Sequence, residues 1–226
     1  MIDLSPIVDH WPDLVAGFRL TAWLSSAACL LAFLIGVGLT AVRLGGPSFA
    51  RRLVRAYVDV MRGLPSLVLI LACFYLLPAT GLRLDAIQSG LAALALYYGA
   101  YVSEAMRGAL ATIPTGQWEA GTTSGLHPVK VLRRIILPQA VGPMIPPLAG
   151  LSIGLFKETA LLSTISVHEF VFAGKEAISD SYAPFEIYAF VALCYWAASA
   201  AIAFGAGRLE LRSIRYRSSR QPELRA

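Results

Sequence analysis

Charge is scarce in this sequence. Of 226 residues only 15% are Asp, Glu, Lys or Arg, well below the roughly 25% of soluble proteins. Hydrophobic residues make up 57%, and mean hydropathy is +0.64. A soluble chain of this length could not hide so much apolar surface, so a soluble enzyme and a disordered chain are excluded. Cysteine is scarce as well. Cys29, Cys73 and Cys194 all lie in apolar runs, without disulfide or metal spacing, which excludes a disulfide scaffold. His10, His127 and His168 are scattered, so no metal site is expected. No G-x-x-x-x-G-K-[ST] loop is present to cradle phosphate. The apolar runs hold no clustered His/Asp/Glu or Ser/His constellation, so a membrane-embedded enzyme is disfavoured. The amino terminus carries Asp3, Asp9 and Asp13 instead of the basic region of a cleavable signal peptide.

What is present is a set of long apolar runs with charges at their limits. A helix needs about 20 mainly apolar residues to cross a hydrocarbon core of ~30 Å. Five stretches meet that length or approach it: Leu20–Val42, Gly63–Leu82, Ala86–Ser103, Ile135–Phe156 and Ile187–Gly207. The expected fold class is therefore all-α: a polytopic membrane protein with five transmembrane helices, forming a single domain over 1–226. The net charge of +5 could point to nucleic acid, but the basic residues sit between and after the apolar runs. They read as topology signals, and no nucleic-acid partner is expected. Arg43, Arg51, Arg52, Arg55, Arg107, Lys130, Arg133, Arg134 and the arginines from Arg208 onward fall on one side. Only Arg19, Arg83 and Lys175 fall on the other. The positive-inside rule then places the amino terminus outside and the carboxyl terminus in the cytoplasm. The basic tail from Arg212 to Arg225 is expected near anionic headgroups.

Between the third and fourth runs lies a patterned cytoplasmic segment, from about residue 107 to 138. Pro114–Thr115 offers a stop and an N-cap, and Gly116–Ser124 can form a short helix with Glu119 near its positive end. Gly125 suits a left-handed C-terminal position. Pro128 opens a second helix, Pro128–Leu137, and Pro138 marks the next break. The segment reads as a compact helical knob: either a juxtamembrane stabiliser or a docking element for a cytoplasmic partner.

The residues of this knob carry a resemblance. Glu119-Ala120-Gly121, then Gly125, then Ile136-Leu137-Pro138 is similar to the E-A-A-x-x-x-G…I-x-L-P signature of ABC importer permeases. Arg62-Gly63-Leu64-Pro65 resembles the R-G-T-P of the polar amino acid branch. Tyr101 to Gly108 resembles its A-Y-x-x-E-x-x-R-G, and Lys157-Glu158-Thr159-Ala160-Leu161 its K-D/E-T-S-L. Ile113 to Gln117 and Leu137 to Ala140 match the approach to the signature and the exit from it. Gly121, Leu64, Ala160 and Gly150 depart from the usual residues.

The resemblance implies a permease subunit like those of type I ABC importers, in a bacterial inner membrane, importing a polar amino acid or related compound by alternating access. It implies no catalysis and no cofactor on this chain, with ATP and Mg on partner ATPase subunits. It also implies a second permease subunit, identical or paralogous, and an extracytoplasmic solute-binding protein, all around a lipid bilayer. Gly116, Gln117, Glu119, Ala120, Gly121, Gly125, Ile136, Leu137 and Pro138 would form the ATPase-coupling loop. The alternative is a subunit of an ATP-independent secondary transporter or channel, which leaves the knob without a purpose.

Polar groups at membrane depth are costly and usually face a cavity or the bundle interior. Ser152, Thr159, Ser163 and Ser166 recur at spacings that put them on one face of a continuous α-helix, flanked by Lys157 and Glu158. For a zwitterion, a lysine could meet the carboxylate and a carboxylate the ammonium; alternatively both reach to the interface. Lys157, Glu158, Thr159 and Ser163 are therefore the candidate substrate pathway. Arg62 and Glu104 border their spans as a gate or an anchor. Pro143, Pro146 and Pro147 predict a kinked or broken helix. Gly150-x-x-x-Gly154 and Ala203-x-x-x-Gly207 offer close helix contact.

Overall fold

A computed structural model describes the backbone of residues 4–218 and side chains as far as Leu211. The side chains of the basic tail from Arg212 to Arg225 lie outside the described residues. Among those described there is no strand. A short α1 (Ser5–Asp9) leads into α2 (Trp11–Gly45), whose first turn holds Pro12 and Asp13 and whose last turn holds Arg43. Both charges complement the helix dipole.

α3 (Ser48–Gly63) follows, and the chain then turns by 108° through Leu64 and Pro65 into α4 (Ser66–Leu71). A π turn (Ala72–Leu76) and a 3₁₀ turn (Leu77–Thr80) continue α4 and end at Gly81, whose φ of +92° is left-handed. The expected span Gly63–Leu82 is thus a short rod, Ser66–Thr80. At 1.5–2.0 Å per residue it reaches only about 25 Å. That is shorter than a hydrocarbon core of ~30 Å.

α5 (Ala86–Ala111) is capped by a reciprocal pair: Asp85 accepts from the Gln88 amide at 2.7 Å, and the Gln88 side chain accepts from the Asp85 amide. It packs against α2 through reciprocal small residues. A Cβ on Gly36 would lie 2.3 Å from Val102, and one on Gly99 would lie 2.5 Å from Ile35. Dispersion over this close approach replaces the hydrophobic drive that lipid cannot supply. Of the small residues singled out in the sequence, Gly154 closely approaches the Tyr98 hydroxyl of α5, whereas Gly150 and Gly207 have open space beside them.

α6 (Thr115–Thr123) and α7 (Pro128–Val131) form the knob. α7 does not stop at Pro138. A π turn (Leu132–Ile136) carries it into α8 (Leu137–Glu158) and a 3₁₀ turn (Thr159–Ile165), so that Pro128–Ile165 runs on for 38 residues. A proline lacks the N–H that the carbonyl four residues earlier would accept. The π turn widens the ladder there, and the Leu137 N–H reaches Leu132 O instead. The same arrangement precedes Pro78. Pro143, Pro146 and Pro147 lie within α8 without breaking it.

After Ser166 (φ 61°), α9 (Phe170–Ser181) forms a short helix, and Tyr182 (φ 53°) turns the chain into α10 (Pro184–Ser218). Among the described residues, three helices are long and apolar enough to cross a membrane, and a fourth crossing is made if the bent α3–α4 pair is one span. A count of five is not reached on length and hydropathy. α5 is long enough but is the interior helix, with many small and polar residues buried against its neighbours. The main core joins Leu24, Ala28 and Ala32 of α2, Ile70 of α4, Ala93, Leu94 and Tyr98 of α5, and Leu155 and Leu162 of the long helix.

Candidate coupling knob and membrane-embedded polar site

The knob is fixed by its own small core. Val131, Ile136 and Ala140 are buried with Leu110 and Ile113, and Trp118, Leu126 and Ile135 pack around them. Gly121 is buried in this contact. A Cβ there would stand 2.8 Å from both methyls of Val131, so the departure from alanine lets α6 lie directly on the long helix. Gly125 has a φ of +77° and supplies the left-handed turn between α6 and α7. Gln139 donates to Gln117 across the knob at 3.3 Å.

Two local expectations are corrected. Pro114, not Thr115, occupies the cap, and no side chain caps α6. Glu119 lies beyond the first turn, exposed; α6 begins one residue earlier than a Thr115 cap would allow. Gly116, Gln117, Glu119 and Ala120 all lie on the outer side, as do Leu137 and Pro138, whereas Gly121 and Ile136 are buried. The knob thus presents one polar face outward and one apolar face to the spans.

Towards the C-terminal end of α5, Glu104 accepts from Arg43 Nη1 of α2 at 2.7 Å and from Arg107 Nε at 2.8 Å. Arg62 does not pair with it. Its guanidinium lies 5.9 Å from the ring centre of Tyr101, because the corner after Gly63 carries Arg62 towards the tyrosines instead. Glu104 therefore joins α2 to α5 through Arg43.

The stripe Ser152, Thr159, Ser163 and Ser166 is not one α-helical face. The α-helix ends at Glu158, and the tighter 3₁₀ winding through Ile165 rotates Thr159 and Ser163 out of the α-helical register. Lys157 is exposed. Thr159 is fully buried and donates to Phe156 O at 2.7 Å. Ser163 accepts from Lys175 Nζ of α9 at 3.0 Å. Glu158 is half-buried, interacts with the hydroxyls of Ser66 and Tyr98, and holds a buried Oε2 with no hydrogen bond. Beside it lie Tyr97 and Tyr98, ring centres 5.5 Å apart, and the Tyr97 hydroxyl is 3.3 Å from that of Tyr101. Gly154 leaves room for the Tyr98 hydroxyl, which would sit 2.9 Å from a Cβ there. A carboxylate with spare acceptor capacity beside aromatic faces can receive an ammonium group.

Sequence reasoning missed Glu169. It is fully buried and caps α9 by accepting from the Phe172 amide at 2.9 Å. It also accepts from Thr21 of α2 at 3.2 Å and from the Tyr195 hydroxyl of α10 at 3.1 Å. Burial pushes its carboxyl up, opposed by these donors. Glutamate is not among the preferred capping residues, and its partner Thr21 lies 148 positions away, so no local pattern marked it.

A family profile described as binding-protein-dependent transport system inner membrane component matches residues 22–220. The probable glutamine ABC transporter permease protein GlnM of Bacillus subtilis is 31% identical over 93% of this chain and 98% of its own. The glutamine transport system permease protein GlnP of Escherichia coli K12 is 32% identical over 93% and 97%. The L-cystine transport system permease protein TcyB of B. subtilis is 38% identical over 70% and 68%. Among solved structures, an amino acid ABC transporter crystallised with histidines superposes with a TM-score of 0.88 at 26% identity, covering 94% of this chain and 99% of that one. The MetNI methionine ABC transporter in an inward-facing form shares the fold, with a TM-score of 0.78 at 18% identity over 89% and 96%.

Proposed function

Since this chain belongs to the binding-protein-dependent transport inner membrane component family and is a permease subunit of an ABC importer, we propose that it carries a polar amino acid or close relative inward and is driven through its knob. It is a multi-pass inner-membrane transport component and not itself catalytic. The observation that carries the proposal is the division of the knob: an apolar face locked to α5 and the long helix, and an exposed polar face bearing Glu119. A cytoplasmic ATPase subunit would grip the polar face. Because the knob continues without a break into the long helix, its displacement would tilt that helix as a rigid body. ATP and Mg would be bound and hydrolysed on that partner. The amino terminus would face outward, where a solute-binding protein delivers substrate, and a second permease copy or paralogue would close the path.

Within the membrane, Glu158 would receive the substrate ammonium. The substrate carboxylate would meet a cation, with Lys157 on the adjacent position. Thr159 and Ser163 would shape the outer end of the path, Glu104 would anchor α2 to α5, and Arg62 would hold the α3–α4 corner against Tyr101. Co-purification with the ATPase subunits tests the docking reading. Wild type retains them, whereas Glu119→Lys and Gly125→Asp lose them while still inserting. Uptake in vesicles that persists without ATP would instead establish the secondary-transporter reading.

A further inference from the structure

α3 meets three environments at once. At 100° per residue, Ala50, Val54, Tyr57, Val58 and Met61 form one face. Val58 is fully buried, and the Tyr57 hydroxyl donates to Leu96 O of α5 at 2.7 Å. Phe49, Leu53, Ala56 and Val60 form a second. It is apolar, yet Phe49 is 67%, Leu53 55% and Val60 53% exposed. Arg51, Arg52, Arg55, Asp59 and Arg62 form a third, all exposed. The centres of the three faces are separated by about 120° each.

That division fits a helix lying at a boundary, with protein on one side, hydrocarbon on the second and water on the third. Two further observations place the boundary. α3 is turned 108° from the α4 rod, so it runs close to the membrane plane if the rod follows the normal. Its end also meets Tyr101, which donates to Arg62 O. Tyr101 lies three residues from Glu104, where the ion cluster with Arg43 and Arg107 marks the edge of the apolar zone. Arg51, Arg52 and Arg55 have no ion-pair partner among the described residues.

We propose that α3 is an interfacial helix that binds anionic phospholipid of the cytoplasmic leaflet, with Phe49, Leu53 and Val60 among the acyl chains and Arg51, Arg52 and Arg55 on headgroup phosphates. An amphipathic helix rich in arginine on its polar face buries its apolar face at the headgroup boundary and gains affinity from anionic lipid. Guanidinium pairs bidentately with phosphate oxygens. The α3–α4 corner carries Arg62 and leads to Ser66 beside Glu158, so lipid held on α3 would set the position of that corner.

The test titrates the purified full-length chain in neutral detergent with phosphatidylglycerol and with phosphatidylcholine, counting bound lipid by native mass spectrometry. Wild type should prefer phosphatidylglycerol. The triple variant Arg51→Gln, Arg52→Gln, Arg55→Gln should bind it at least about tenfold more weakly, with phosphatidylcholine unchanged. The knob variant Lys130→Gln, Arg133→Gln, Arg134→Gln should bind as wild type. Undiminished binding by the α3 variant, or equal loss in both variants, overturns the site. A nitroxide at Leu53→Cys, in a Cys29→Ser, Cys73→Ser, Cys194→Ser background in nanodiscs, should collide with oxygen, and one at Arg52→Cys with a water-soluble relaxant. Coupling between paired Leu53→Cys labels would assign the apolar face to a second copy of the chain. Its burial only on adding ATPase would assign it to that partner. Either result sinks the lipid assignment.

Discussion

The knob and α9 are both short helical elements grafted onto the spans, and they are held in different ways. The knob is fixed by apolar packing around Val131 and Ile136 and leaves its polar side exposed. α9 has an apolar contact of its own, in which Phe170, Ala173 and Ala177 meet Leu14, Ile187 and Val191. Its start, however, is tied to α2 and α10 through one buried carboxylate. Packing alone transmits displacement while leaving surface chemistry open to a partner. A buried charge-assisted junction is directional and breaks sharply when one member is lost.

The largest expected effect is therefore at the start of α9. Glu169→Ala removes the common acceptor of Thr21, Tyr195 and the Phe172 amide, leaving three donors unsatisfied in the interior. Each unsatisfied buried donor costs about 1–3 kcal/mol, with some relief from relaxation. A loss of at least about 3 kcal/mol is expected, read as a large drop in the melting midpoint of the detergent-solubilised chain. Glu169→Gln keeps two acceptor sites and should recover most of it. A mild effect for alanine would mean that the apolar contacts alone hold α9, making the two elements alike.

The knob should respond to volume instead of charge. Gly121→Val drives a branched side chain into Val131, itself fully buried, and overpacking of this kind costs about 1–3 kcal/mol. Gly121→Ala gains up to about 1 kcal/mol of helix propensity but meets the same methyls, so it should be near neutral or worse. Combining Gly121→Ala with Val131→Ala should restore the gain. Thermal melts across the four members of that cycle measure the coupling, and additive effects would mean that α6 does not bear on Val131.

The sequence exposed what depends on local chemistry. Gly125 as the left-handed turn was readable because only a residue without Cβ adopts that backbone cheaply. The knob and the all-α class came from prolines and apolar runs. Reading Pro138 as a stop was an error of the same local kind. Proline's missing N–H is a local property, but its absorption by a π turn depends on how the long helix packs. The pairing of Arg43 with Glu104, the approach of Gly36 to Val102, and the role of Glu169 all join residues far apart in the chain. In each case the partner was set by tertiary packing that the spacing of charges could not convey. Lys157 to Ser163 could not be resolved for a related reason. The switch from α to 3₁₀ winding at Thr159 depends on its surroundings and leaves Glu158 alone with an unpaired carboxylate oxygen.

On the exposed face of the knob, charge reversal should cost little stability. Glu119 is exposed, so Glu119→Lys should change stability by no more than about 0.5 kcal/mol, read from the melting midpoint. It should nevertheless abolish ATPase retention. Equal loss of stability and retention would show that the outer face is structural, and the contrast between the two elements would narrow.

The smallest effect concerns a further link to α9. His10 donates through Nδ1 to Pro6 O at 2.9 Å, and its Nε2 lies 3.4 Å from Asp180 of α9. The Pro6 carbonyl, and to a lesser extent Asp180, holds the imidazole above its usual 6.5. Folding thus increases its affinity for the proton. The link contributes fully below pH 6.5 and fades as pH rises through the higher folded value. Asp180 is largely exposed, so solvent screens most of the attraction. Titration of the His10 ring by NMR should give a midpoint above 6.5, which Asp180→Asn lowers only in part because the Pro6 bond remains. A midpoint unchanged by Asp180→Asn would leave Glu169 and the Lys175–Ser163 bond as the charged ties of α9 to the spans, and the contrast with the knob would then rest on those two residues.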